Sequence, residues 1–230
     1  MDWDRALHIL SVALITAGVV ILADVAATLL WQEPTSSLYA SVRQHDASSD
    51  LAQLEREFPT TADRRVARRE SGRPRQVGAL ARLFAKRVEN GDAIGRLAIP
   101  AIDLDIVIVQ GTDTADLTQG PGHYSSTPFP GQPGTTAVAG HRTTYLAPFR
   151  HLDSLDAGDR LEVEMPYATF SYRLQRTKVV EPTDVGILHP AGYQRLVLTA
   201  CHPLYSASER IVAFARLDRI SSVALRADDG

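Results

Sequence analysis

The sequence predicts a mainly β fold: a closed or nearly closed barrel of seven to eight short strands with short helices, preceded by a transmembrane helix and a helical stalk. A long apolar run occupies residues 7–31, apolar residues recur at helical spacing between 77 and 88, and short β-type runs separated by turns follow from 94 onward. We therefore expect five parts: a cytoplasmic end (1–6), a transmembrane anchor (7–31), a helical stalk or linker (32–92), a β-barrel domain (93–218) and a flexible tail (219–230).

The amino-terminal run is long enough to cross a bilayer. Residues 7–31 are almost wholly apolar, and these 25 residues, at about 1.5 Å each, span a hydrocarbon core of roughly 30 Å with some tilt. Asp24 is the exception, because a carboxylate deep in a membrane costs about 3 kcal/mol. A cleaved signal peptide is the alternative, since Val25-Ala-Ala27 resembles a small-residue cleavage site. The flank Met1-Asp-Trp-Asp-Arg5 is not basic, which favours an uncleaved anchor.

The stretch from 32 to 92 predicts helices. Thr60-Thr-Ala-Asp63 offers capping side chains, and Gly72-Arg-Pro74 interrupts the pattern. Acids are interspersed among the arginines of this stretch, which favours a solvated helix over a nucleic-acid patch. We expect a stalk that holds the following domain away from the bilayer. Its apolar residues at the spacing of one helix face are Val77, Leu80, Leu83, Phe84 and Val88.

From residue 94 onward, short β-type runs alternate with turns. The turn signals are Ile-Pro at 99–100, the Pro- and Gly-rich stretch 128–134, and Ala157-Gly-Asp159. Many short strands in about 125 residues are typical of a barrel. The predicted strands are 94–99, 102–109, 136–139, 160–165, 170–180, 195–199 and 211–217.

Composition and spacing exclude several function classes. A net charge of −3 gives no reason to expect nucleic acid as a partner. One cysteine and seven scattered histidines lack zinc-site spacing, and the glycines lack the context of a phosphate-binding loop. Consecutive strand residues point to opposite faces, so Cys201 and His202 would not readily share one ion. We therefore expect no metal and no cofactor.

The single cysteine, Cys201, lies where an apolar strand ends. It cannot form an intramolecular disulfide, so it is either a small buried hydrophobe or a reactive thiol. His141 ends another apolar run, and Arg210 directly precedes a third. Each alone has an ordinary interpretation, as a loop histidine or a surface cation. A thiol, an imidazole and a guanidinium at strand ends are, in combination, the groups that cysteine-based acyl transfer needs.

This combination resembles the sortases, the cysteine transpeptidases of Gram-positive cell surfaces, over residues 95 to 217. By position, the resemblance implies that Cys201 is the nucleophile, His141 the general acid/base, and Arg210 the cation that stabilises the oxyanion or positions the substrate. It also implies cleavage of a C-terminal LAxTG- or LPxTG-like sorting signal between Thr and Gly, through a thioacyl intermediate that a cell-wall amine resolves. The segments that carry it are Ala139-Gly-His-Arg-Thr-Thr-Tyr145, Leu198-Thr-Ala-Cys-His-Pro203 and Ser206-Ala-Ser-Glu-Arg210.

Within the family, the chain is most similar to class E, the housekeeping type of high-GC actinobacteria. Members of that class resemble one another in preferring LAxTG to LPxTG through a tyrosine before the His strand, and Tyr124 is our match for it. An aromatic side chain packed at the barrel mouth is the alternative interpretation. The family pattern is Thr-Leu-x-Thr-Cys, and the corresponding residues here are Val197-Leu-Thr-Ala-Cys201. Alanine at position 200 has no hydroxyl, so only its backbone N–H could donate a hydrogen bond to the oxyanion. We assign substrate binding to Tyr124, Thr199 and Ala200.

Two other functions remain open at this point. A pilus-polymerising sortase usually carries an Asp-Pro-aromatic lid motif, and no Asp-Pro pair occurs in the chain. A non-catalytic, anchored β-barrel binding module with an incidental cysteine is the second. The leading interpretation is a single-pass cell-membrane protein with an extracellular catalytic domain. Its expected partners are a sorting-signal peptide, a peptidoglycan precursor amine and the membrane.

Overall fold

The computed structural model describes residues 3–31 and 34–221. Four helices precede the sheet: α1 (Trp3–Trp31), α2 (Pro34–Glu57), α3 (Thr61–Ala67) and α4 (Arg73–Phe84). A short helix, α5 (Thr114–Leu117), lies between the second and third strands. The eight strands are β1 (Ala93–Ile99), β2 (Leu104–Gln110), β3 (Gly122–His123), β4 (Thr135–Ala139), β5 (Arg160–Met165), β6 (Ala168–Val180), β7 (Arg195–His202) and β8 (Glu209–Ser221).

The strands form a closed barrel in the order β1-β2-β3-β4-β7-β8-β6-β5, which confirms the predicted fold class. The pairs β2–β3 and β4–β7 are parallel, and the other pairs are antiparallel. Strand β3 has no counterpart among the predicted strands, because two residues are too few to show an alternating pattern. Strand β8 continues to Ser221, and the remainder of the predicted tail lies outside the described residues.

The inner faces of the strands and the helices after α2 share one hydrophobic core. Val77, Leu80 and Phe84 of α4 are fully buried in the same cluster as barrel residues such as Phe170. The ring of Phe84 meets that of Phe129 edge-on, with centroids 5.3 Å apart. The predicted stalk is therefore helical, but α3 and α4 do not hold the barrel at a distance. They close one side of it, because the apolar face of α4 has no other surface to cover it.

Helix α2 also packs on the barrel and completes its hydrogen bonding. The Gln44 side chain accepts a bond from the Val107 N–H at 2.9 Å and donates to the Val107 carbonyl at 3.0 Å. It donates a further bond to the Gln119 carbonyl at 2.7 Å. Strand β3 is too short to pair with the whole of β2, so some backbone groups of β2 have no partner in β3. The Gln44 side chain supplies the hydrogen bonds for these groups at Val107. Ala47 and Leu51 of α2 are buried against the same strand.

Helix α1 differs from the others in its exposure. Its segment Arg5–Val25 is long and apolar enough to cross a membrane, and it is not buried against the rest of the chain. It is the one such helix among the described residues, and it overlaps the predicted anchor, residues 7–31. A long apolar helix left uncovered by protein is what a membrane anchor requires.

His123 has a packing role inside the barrel. It is 1% exposed and stacks on Phe129, with ring centroids 4.5 Å apart. Its Nδ1 lies 2.8 Å from Oε1 of Gln110, and its Nε2 lies 3.2 Å from the Thr127 hydroxyl. Burial lowers the pKa of His123 to about 4, so the ring is neutral at physiological pH.

We expect removal of α2–α4 to destabilise the barrel. A protein that begins at residue 34 should unfold cooperatively, whereas one that begins at residue 90 should not, because it exposes the core surface that Phe58, Leu80 and Phe84 cover. Phe84→Ala in the longer protein should cost about 3–5 kcal/mol. Val66→Ala, at a 45% exposed position on α3, is the control and should change stability by less than about 0.5 kcal/mol. Urea denaturation followed by circular dichroism measures both effects.

Candidate functional site

Three neighbouring strands carry the predicted catalytic residues to the same end of the barrel. In the parallel β4–β7 pair, Ala139 lies opposite Thr199, and the Gly140 N–H donates to the Thr199 carbonyl at 3.0 Å. His141 and Cys201 each lie two residues beyond this last pair, at the same end of the two parallel strands. In the antiparallel β7–β8 pair, Cys201 lies directly opposite Arg210. The sheet therefore orders the three residues His141, Cys201, Arg210 across adjacent strands.

The thiol and the guanidinium lie on the outer face of the barrel. Leu198 and Ala200 of β7 belong to the barrel core, whereas Val197 belongs to a second apolar cluster on the opposite face. Side chains alternate along a strand, so Thr199 and Cys201 share the outer face with Val197. Residues directly paired across strands point to the same side, which adds Arg210 to this face.

The side chain at position 200 lies on the inner face of the barrel, and the assignment of its backbone to substrate binding stays a prediction. Ala200 is 3% exposed and its methyl group lies in the barrel core, so its side chain is turned away from the Cys201 thiol. A hydroxyl at this position would also face the interior. Only the backbone of Ala200 remains available to a substrate, and the missing hydroxyl does not alter the outer face.

Tyr124 and Thr199 do lie on the outer face, in contact with each other. The Tyr124 hydroxyl is 2.9 Å from the Thr199 Oγ1. Thr199 precedes Cys201 by two residues and faces the same side of β7. The hydrogen bond therefore holds Tyr124 next to Thr199, on the face that carries the Cys201 thiol. The Tyr124 ring packs against an apolar cluster that sequence reasoning did not identify: Ala137, Val180, Ile187, Leu188, Val197, Val212 and Phe214.

His141 is partly buried at the start of the loop after β4. Its carbonyl accepts a bond from the Phe149 N–H at 3.0 Å, and its ring packs on Tyr145 with centroids 5.1 Å apart. Gly140 permits this arrangement, because a Cβ there would approach the Phe149 ring to 2.6 Å. Burial lowers the pKa of His141 below its ordinary value. Its Nε2 is buried and makes no hydrogen bond to any residue in the described part of the chain.

The loop after His141 has a strained backbone. Tyr145, Leu146 and Ala147 have consecutive positive φ angles of 49°, 65° and 42°. Each left-handed residue that is not glycine costs about 1 kcal/mol, so the surrounding contacts must hold this turn in place. The turn directs the Tyr145 ring onto His141, which fixes one side of the imidazole.

Cys201 and Arg210 form the other half of the site. Cys201 is half-buried, so its thiol combines partial access with partial exclusion of water. Arg210 Nη1 donates to the carbonyl of Ala207 at 3.0 Å and to its neighbour Glu209 at 2.8 Å. These bonds hold the permanently charged guanidinium at the connection between β7 and β8. Among the described residues, no group of three or more His, Cys, Asp or Glu side chains could hold a metal ion.

A family model described as the sortase domain matches residues 97–218, just over half of the chain. The chain belongs to the sortase family. Sortase D of Bacillus subtilis is 38% identical over 116 residues, which cover 50% of this chain and 57% of the relative. The solved sortase E of Streptomyces avermitilis is 30% identical with a TM-score of 0.55, covering 61% of this chain and 97% of that one.

The family match agrees with the predicted cysteine transpeptidase, and the Streptomyces sortase E is consistent with the class E resemblance. A sortase D5 transpeptidase from Clostridium perfringens has the same fold, with a TM-score of 0.61 at 21% identity. It covers 77% of this chain and 99% of its own length. The chain spans about half the length of the curated relatives it matches.

The lowered pKa of His141 gives a direct test of its surroundings. In the Cys201→Ala protein, where no thiol titrates, NMR of the imidazole C–H signals should place the His141 midpoint below 6.5. The neutral ring then persists to lower pH than it would in an open loop. The same variant unfolded in urea is the control and should return the midpoint to the ordinary value of about 6.5. A folded midpoint at or above that of the unfolded chain would contradict the burial of the ring.

Proposed function

We propose that this protein is a membrane-anchored transpeptidase that cleaves a C-terminal sorting signal and joins the cleaved protein to a cell-wall amine. The observation that supports this most is the strand register, which brings the ends of β4 and β7 and the start of β8, and with them His141, Cys201 and Arg210, to the same end of the barrel. The chain's membership of the sortase family gives the same chemistry.

The proposed reaction begins at the Cys201 thiolate. The sulfur attacks the carbonyl carbon of the signal's Thr–Gly bond, and negative charge develops on the carbonyl oxygen. Arg210, which pairs with Cys201 across β7 and β8, stabilises this charge through its guanidinium N–H groups. As the C–N bond breaks, protonated His141 donates its proton to the departing glycine amine. A thioester between Cys201 and the threonine carbonyl remains.

The second half of the reaction releases the thioester by aminolysis. An incoming amine attacks the thioester carbonyl, and neutral His141 accepts the proton that the amine loses. The C–S bond then breaks and Cys201 leaves as a thiolate, ready for another cycle. Because burial favours the neutral form of His141, the ring is well suited to this base step. We infer that the accepting amine belongs to a peptidoglycan precursor.

The outer face next to Cys201 supports binding of an extended, largely apolar peptide. Tyr124, Ile187 and Leu188 are partly buried hydrophobic side chains that pack on the outer face of the sheet to which Cys201 belongs. The Tyr124–Thr199 hydrogen bond fixes the tyrosine ring at the position we assign to the second residue of the signal. We propose that the signal is of the LAxTG type, with Tyr124 as the residue that favours alanine over proline.

The anchor sets where this reaction would take place. Helix α1 is long enough to cross the membrane, and α2 packs directly on the barrel. We propose that the catalytic domain lies on the extracellular side and close to the bilayer, where both surface proteins in transit and lipid-linked wall precursors are within reach.

Ligation of short peptides tests the proposed chemistry. The full chain in detergent, offered LAxTG and LPxTG peptides with an amine acceptor, should form ligated product, and Cys201→Ala should abolish it. His141→Ala and Arg210→Ala should each lower kcat by about 10² or more, because each removes a group that acts in the transition state. Mass spectrometry of the product and of the thioester measures these outcomes.

Arg219→Ala, at an exposed position of the same strand as Arg210, is the matched control and should retain activity. Product formation by Cys201→Ala, or none by the parent protein with either peptide, would refute the proposal. A non-catalytic binding module would instead retain peptide binding after alkylation of Cys201 and give no product.

Substitution of Tyr124 tests the choice of peptide separately. Tyr124→Ala should change the ratio of kcat/KM for LAxTG and LPxTG by about tenfold, since one well-placed contact is worth about 1–2 kcal/mol. Tyr124→Phe, which keeps the ring and removes the bond to Thr199, should change the ratio less. Alkylation of Cys201 by iodoacetamide should proceed at a similar rate in both variants. An unchanged peptide ratio in Tyr124→Ala would exclude a role for this ring in specificity.

A further inference from the structure

One buried side chain connects the residue after His141 with the residue after Cys201. The side chain of Arg142 is 1% exposed, although it carries a permanent charge. Its Nη1 lies 3.0 Å from Nδ1 of His202. Its Nε and Nη2 donate to the Arg150 carbonyl at 3.3 and 3.0 Å, and Nη2 lies 2.8 Å from Oδ2 of Asp153. The guanidinium thus binds two separate segments of the chain, the end of β7 and the loop that contains Arg150 and Asp153.

Burying an arginine in this way is costly unless its charge and its donors are satisfied. Asp153 supplies the opposite charge. Partial burial raises the pKa of the Asp153 carboxyl, but the hydrogen bond and the charge of Arg142 outweigh that effect and bring the pKa below its ordinary value. The carboxylate is therefore ionised at neutral pH, and the pair persists in the conditions where the protein would act.

The contact with His202 fixes the state of that ring. A guanidinium can only donate hydrogen bonds, so Nδ1 of His202 must accept and the ring proton must lie on Nε2. His202 is the last residue of β7, directly after Cys201. Its direction is set by Arg142 from the His141 loop.

The position of this contact gives it a role beyond packing. The backbone bond between Gly140 and Thr199 is the last link of the β4–β7 pair, and both His141 and Cys201 lie beyond it. The Arg142–His202 bond joins the two segments again, one residue after His141 and one residue after Cys201. Through the Arg150 carbonyl, Arg142 also closes the loop that contains the strained turn 145–147.

We propose that Arg142 is a positioning residue, which sets the separation of the His141 imidazole and the Cys201 thiol by fastening His202 to the His141 loop. This inference rests on the proposed function of those two residues. Without the link, the strand ends can separate while the barrel stays folded. Proton transfer between imidazole and substrate then becomes slower, because displacements of about 1 Å at a reacting group cost up to about 10²-fold in rate.

The test compares two replacements of His202 in the full chain, measured by ligation of the LAxTG peptide. His202→Asn keeps an acceptor oxygen at the place of Nδ1, whereas His202→Leu removes it. His202→Leu and Arg142→Met should each lower kcat by about tenfold or more with KM changed by less than about twofold. His202→Asn should stay within about threefold of the parent protein. The double variant Arg142→Met/His202→Leu should be no slower than the slower single variant, since both remove the same link.

Arg173→Met is the matched control. It removes an arginine whose ion pair with Asp218 is exposed on β6, away from the site, and it should leave kcat unchanged. If Arg142→Met does not fold, the two His202 variants still decide the question. Equal activities of His202→Asn and His202→Leu, or multiplicative losses in the double variant, would overturn the positioning role. Absence of product from the parent protein would instead refute the proposed function itself.

Discussion

Two backbone ladders, one on each side of β7, determine where the reactive groups lie. The parallel ladder to β4 brings His141 and Cys201, which are 60 residues apart in the sequence, to the same end of the barrel. The antiparallel ladder to β8 pairs Arg210 with Cys201. A shift of one residue in either ladder would turn one of the three side chains to the other face of the sheet. The apolar residues of β7 prevent such a shift, because Leu196 and Leu198 fill the core only in the observed register.

The same alternation separates structural from functional residues along β7. Ala200 belongs to the core, while Thr199 and Cys201 face outward with Tyr124. A closed barrel makes this division strict, since its interior is packed with side chains and cannot admit a peptide. On the outer face of β4, β7 and β8, Ala137, Val197 and Val212 are fully buried. The partly buried side chains of Tyr124, Ile187 and Leu188 pack against this cluster.

Helices α2–α4 are part of the same folded unit as the barrel. Gln44 supplies the hydrogen bonds that β2 lacks beside a two-residue neighbour, and Phe84 closes the core. The chain between membrane helix and barrel is consequently packed rather than extended.

The sequence by itself determined the barrel, an amino-terminal helix long and apolar enough to cross a membrane, and the resemblance to the sortase family, because local alternation, a long apolar run and short motifs can be read along the chain. It did not reveal that Ala200 faces the core, that α3 and α4 cover the barrel, or that Arg142 links His202 to Asp153. Each of these depends on contacts between residues distant in sequence.

Amphipathic spacing in α4 predicts a buried face but not the surface that buries it, and a lone arginine after a histidine gives no sign of burial. Tertiary packing decided these points, since burial depends on which surface covers a side chain.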